Sequence, residues 1–182
     1  MGTTRLVILD ALTYMSARVS TYLAAVIVVA TFNWAKRIFV SSGGENMLSQ
    51  LSLGLEEAQR AIGAVFEQAK KDGRAVAVAV VDNHGELIAC ARMDGAHARV
   101  LRHAIRKAYT AAVMARDTLA LKDDMAKAGR SLSDYGDPSL TTLQGGLVAR
   151  SGDQVVGAIA SGGSPRLRDV EMAKIGLDAM GL

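Results

Sequence analysis

A single cysteine, Cys90, in 182 residues leaves no partner for an internal disulfide and no thiolate set for a structural zinc site. Three histidines, at positions 84, 97 and 103, leave little room for a histidine-built metal cage. Aromatic residues make up only 4% of the chain, and residues 47–182 hold seventeen Lys/Arg against sixteen Asp/Glu. A nucleic-acid surface needs a broad basic face and stacking aromatics, so nucleic acid is excluded as the main partner. Also missing are a phosphate loop ending in Gly-Lys-Ser/Thr, a G-x-G-x-x-G turn, a G-x-S-x-G elbow and an H-E-x-x-H helix. Those absences argue against nucleotide-driven enzymes and the common hydrolases. What is present is apolar: half the residues are hydrophobic and 21% charged, with eighteen glycines and two prolines. Disorder is thereby excluded as the main state, and a compact alanine- and valine-rich core is expected.

The first 46 residues are a different material, with four Lys/Arg against two Asp/Glu and the apolar run Tyr22–Phe32, broken only by Thr31. Counted from Val19 to Ala35, the run is shorter than the ~20 residues a comfortable membrane span needs. Asp10 precedes it, and Lys36-Arg37 stand before any small-residue cleavage site, an awkward order for a signal peptide. Residues 1–46 therefore form an extension read either as a mis-called upstream start or as a hydrophobic anchor or export segment. A docking helix is the third reading. A membrane partner is expected only if residues 19–35 are a real anchor. The expected location is cytoplasmic, with anchoring or export through that segment as the alternative. Amphipathic order begins close to Met47, so 47–182 is read as one domain.

Along that domain Leu55, Ala58, Ile62, Val65 and Ala69 fall at alternating steps of three and four, the signature of an amphipathic helix closed by Asp72-Gly73. The stretches 75–82 and 86–93, joined through Asn83-His84-Gly85, predict a β-hairpin. Residues 97–116 return to helical order, with Leu101, Ala104, Ile105, Ala108 and Ala112 on one stripe. A short helix over 119–128 and a loop over 129–141 follow. Leu143–Arg150 and Gln154–Ser161 form a second strand pair, and Ser164 is expected to cap a last helix with Pro165 in its first turn. Hairpins between helices predict an α+β fold, an antiparallel sheet with helices packed on it.

The helix over 97–116 carries the most interesting chemistry. His103, Lys107, Thr110 and Met114 form a row opposite the alanine stripe, an outward face suited either to a ligand or simply to water. Arg99, Arg102 and Arg106 flank it and could receive carboxylates. His103 and Lys107, four residues apart, could also act as an acid/base pair on a carboxylate substrate. His84 and His97 read as turn or cap residues. The glycine pairs Gly145-Gly146 and Gly162-Gly163 suggest close approach of backbone or ligand.

Four stretches stand in register: VAVAVVDNHGELIACARMDGA (76–96), KAYTAA (107–112), GGLVARSGDQVVGAIASGGSP (145–165) and the final helix. Together they resemble the GlcG/HbpS-like haem-binding family, which also supplies the C-terminal domain of PduO-type adenosyltransferases. The resemblance covers about residues 50–181. It implies an antiparallel sheet of about five strands between helices, PAS- or profilin-like, and a homo-oligomer. It implies haem or a related tetrapyrrole as cofactor, in haem handling or redox sensing. It places Thr110 at the haem iron, Lys107 as the family's lysine, and Gly145, Gly146, Gly162 and Gly163 as shaping glycines. Imidazole is the commoner iron ligand, so His103 or His97 stands as an alternative to Thr110, with an arginine such as Arg99, Arg102 or Arg106 near the propionates. Two other functions stay open: a catabolic enzyme using Lys107 and His103, and a structural or regulatory oligomer.

Overall fold

The structure is a computed structural model that describes residues 50–182. The readings made of residues 1–46 lie outside the described residues. Helix α1 (Leu55–Lys71) leads into strands β1 (Ala77–Asp82) and β2 (Leu87–Arg92), then helices α2 (Ala98–Val113) and α3 (Thr118–Ala128). A 3₁₀ turn (Leu132–Tyr135), strands β3 (Gly146–Ser151) and β4 (Gln154–Gly162), and helix α4 (Arg166–Asp178) complete the order. Among the described residues there are four strands, in the order β2-β1-β4-β3, with every neighbouring pair antiparallel. The expected α+β class holds. The sheet has one strand fewer, among the described residues, than the resemblance implied.

The two hairpins join through β1 and β4, so those strands lie in the middle and are covered on both faces. This is why β1 reads as an unbroken apolar run. Successive side chains on a strand point to opposite faces. Val76, Val78 and Val80 therefore pack with Ile159 against Ala58, Ala61 and Val65 of α1 and Met172 of α4. Ala79 and Val81 face the other way, with Ala158 and Ala160, onto α2. Three layers result: α1 and α4, the sheet, and α2. Each fully buried valine contributes roughly 1.5–3 kcal/mol. The tight turn between β1 and β2 is set by Asp82, whose Oδ1 accepts hydrogen bonds from the His84 and Glu86 N–H groups, both at 2.8 Å. His84 is exposed there as a turn residue. No described helix is long and apolar enough to cross a membrane.

Two expectations shift. The buried side of α1 is Ala58, Ala61, Val65 and Ala69, whereas Leu55 is exposed, because α4 flanks the helix and draws Ala61 into the core. Pro165, not Ser164, is the cap residue of α4, and the Ser164 hydroxyl caps nothing. Instead the Ser164 N–H donates to Asp169 Oδ1 at 2.9 Å, which puts the carboxylate of the first helical turn to work on the loop before it.

Candidate functional site

Helix α2 positions the site, and its buried arc is wider than the alanine stripe. It takes in Ala104, Lys107, Ala108, Thr110, Ala111 and Ala112, while Arg99, Arg102, Arg106 and Val113 are exposed. The expected outward row therefore splits. Only its first member, His103, stands half-buried on a cavity wall.

Lys107 is buried at 2% exposure. Its ammonium donates to the Gln144 carbonyl at 2.9 Å, to Asp169 Oδ2 at 2.9 Å, and to the Ser161 carbonyl. Three N–H bonds meet three acceptors, which exhausts what an ammonium can donate. Lys107 does not face outward: it is a clamp joining α2 to the Gln144 segment before β3, to the end of β4 and to α4. The glycine pairs serve this clamp. Gly145 has φ +107°, a left-handed conformation that L side chains rarely adopt, and a Cβ there would lie 2.9 Å from Lys107 Nζ. At Gly146 a Cβ would run into the Lys107 carbonyl oxygen and lie 2.8 Å from Thr118 Cγ2. Gly162 and Gly163 border the cavity.

Thr110 has no exposed surface. Its hydroxyl donates to the Arg106 carbonyl at 2.8 Å and accepts from the Thr141 N–H at 3.0 Å. It does not line the cavity: the Leu140–Thr141 segment covers it, and its hydrogen bonds are local. Arg106 is likewise committed, donating to the carbonyls of Pro138 (2.7 Å), Ser139 (3.1 Å) and Leu140 (2.8 Å). It staples the loop to α2 and lies off the cavity wall. Arg102 is also off it.

The cavity has a volume of about 440 Å³ and opens between the start of α2, the Leu143–Gln144 segment and the Gly162–Ser164 loop. Arg99, His103 and Lys107 follow one another at steps of four, so they stack along α2 from an exposed mouth to a closed floor. His97 is the cap residue of α2, accepting the Arg99 N–H on Nδ1 at 3.2 Å. That bond puts the proton of the neutral ring on Nε2, which can then donate but not bind a metal. The His103 imidazole makes no hydrogen bond among the described residues and keeps both nitrogens free.

Burial pushes the Lys107 ammonium below its ordinary range and the Asp169 carboxyl above its own, and their mutual attraction offsets each only in part. A depressed lysine contributes stability that is present above its unfolded value and lost as pH falls through its folded value. In an Asp169→Asn variant the offset disappears, so stability is expected to rise with pH through the alkaline range more steeply than in the parent chain. Urea titrations at stepped pH check this; parallel profiles for the two proteins contradict it.

Asp169 is not among the residues the sequence singles out. It lies 62 positions from its partner, and the one signal available is an acidic residue in the first turn of a helix following Gly-Gly-Ser-Pro.

The fold is a three-layer α+β domain on an antiparallel sheet, with a cavity beside α2 whose wall carries Arg99, His97 and His103. The chain belongs to the HbpS-like family, matching the family described as "Haem degrading protein HbpS-like" over residues 53–178. It is 33% identical over 113 residues to Protein GlcG of Escherichia coli (strain K12), covering 62% of this chain and 83% of that one. It is similar to a double mutant of Streptomyces reticuli HbpS, with 32% identity, a TM-score of 0.70, and coverage of 78% of this chain and 95% of the other. The PduOC domain, solved as a haem complex, shares the fold at 24% identity and a TM-score of 0.64, with 71% and 95% covered.

Proposed function

We propose that the chain binds haem or a closely related tetrapyrrole in the cavity beside α2, with His103 as the iron ligand. The observation that carries this is the His103 imidazole, set on the wall of the cavity with neither nitrogen engaged among the described residues. The donor set fits the group. Imidazole is a usual axial ligand, and Val100 and Leu143 give the same wall apolar surface for a macrocycle. The family's description and the haem complex of PduOC support the reading. Bound there, haem would supply a redox-active iron. The chain's own part is to hold the ring against α2, while the Lys107–Asp169 clamp keeps the Gln144 and Gly162 edges in place. Haem handling or redox sensing by a homo-oligomer is the role that goes with this site.

The catabolic alternative is less favoured, because all three Lys107 N–H bonds go to the Gln144 and Ser161 carbonyls and Asp169. The test is optical. Haemin titration is expected to give a Soret band that His103→Ala weakens at least tenfold in affinity and that Thr110→Val leaves in position. A flat titration of folded protein, or a band indifferent to His103→Ala, refutes the assignment.

A further inference from the structure

Of the three arginines that the sequence left open for a carboxylate, Arg106 is spent on three carbonyls and Arg102 lies off the cavity. Arg99 lines it, and its guanidinium makes no ion pair or hydrogen bond among the described residues. The only carboxylate on the cavity wall, among the described residues, is Asp169. Both its oxygens are taken, Oδ2 by Lys107 and Oδ1 by the Ser164 N–H. The clamp thus neutralises itself and leaves Arg99 unopposed. Next to it, His97 holds its proton on Nε2 because Nδ1 caps the helix. Two free donors at the mouth, one charged, share the cavity wall with the apolar Val100 and Leu143, and Arg99 stands one helical turn before His103.

We propose that Arg99 and the His97 Nε2–H form a carboxylate subsite at the cavity mouth, so that the ligand is an apolar body bearing a carboxylate. The guanidinium fork matches a carboxylate edge, and the imidazole N–H adds a second donor. The chemistry is shared by a propionate of a tetrapyrrole and by a free organic acid. The inference rests on the cavity assigned above but not on the iron ligand.

Three probes separate the sources: haemin, haemin dimethyl ester, and hexanoate as a free acid. A charged hydrogen bond of this kind is worth about tenfold or more in affinity. Haemin is therefore expected to bind at least tenfold more tightly than its dimethyl ester, and Arg99→Gln should erase that difference. Hexanoate should shift the Arg99 Nε–H and His97 ring signals in nitrogen-15 spectra, and His97→Phe should weaken its binding. If haemin does not bind while hexanoate does so through Arg99, the subsite stands with a free acid as its ligand, and the haem reading falls. If haemin and its ester bind alike, or Arg99→Gln leaves their ratio unchanged, the subsite is overturned and the haem reading survives. Binding by none of the three overturns both.

Discussion

Lys107→Met is expected to cost about 3–5 kcal/mol of folding stability, the usual consequence of removing one member of a buried ion pair. For a domain of this size that is roughly 10–20 °C in Tm. Methionine matches the length of the lysine stem and fills the space, so packing is not the main loss. The loss comes from Asp169, left buried with one hydrogen bond, and from the Gln144 and Ser161 carbonyls, which lose their donor together. This explains why an added Asp169→Leu should recover only part of the loss. It removes the stranded charge but leaves both carbonyls, and now the Ser164 N–H as well, without partners. Thermal melts of the two single variants and the double variant close the cycle. A Lys107→Met protein within about 1 kcal/mol of the parent, the worth of an ordinary exposed pair, would show that the ammonium is dispensable, and with it the clamp.

The architecture was legible because its signals are local. The three-four spacing over Leu55–Ala69, the two hairpins with their Asn/Gly-bearing links, and the alanine-rich helix each declare themselves within about twenty residues, and each lies where expected within a few positions. The site was legible in its parts and not in its arrangement. The spacing of His103, Lys107 and Thr110 suggests one row of α2, but only His103 and Lys107 reach the cavity, and Thr110 lies under Thr141. Which side of the helix is wet depends on what covers it, and the Asp137–Thr141 segment that shields Thr110 comes about thirty residues later. A lysine facing solvent and a lysine facing a distant aspartate have the same local sequence. His97 was legible for the opposite reason: a cap bonds its own neighbour, Arg99, two residues on.

Gly146→Val sets two magnitudes against each other. Gly146 opens β3, and by strand propensity alone valine should improve such a position by up to about 1 kcal/mol. Close packing decides otherwise. A Cβ at this position meets the Lys107 carbonyl, which is helix backbone and cannot swing aside, and Thr118 Cγ2 at 2.8 Å on the neighbouring helix. The Thr118 hydroxyl is itself fixed, accepting the Gly146 N–H at 3.0 Å. Overpacking of this kind costs about 1–3 kcal/mol, and more when backbone must move, so a net loss of about 3 kcal/mol is expected. Gly63 offers the contrast. It sits mid-helix in α1, and a Cβ added there would meet nothing within 4 Å, so Gly63→Ala should stabilise by about 0.5–1 kcal/mol. Opposite signs for two glycine replacements in one urea series would be hard to obtain from composition or propensity. The Gly146 effect should also reach the cavity. Moving the α2 backbone at Lys107 drags the ammonium from its three acceptors and loosens the Gln144 edge of the wall, so haemin affinity should fall together with stability in Gly146→Val and remain unchanged in Gly63→Ala. Stability equal to the parent's in Gly146→Val would mean that α2 and β3 are not in contact at that point, and the close approach on which the clamp is built would be lost with it.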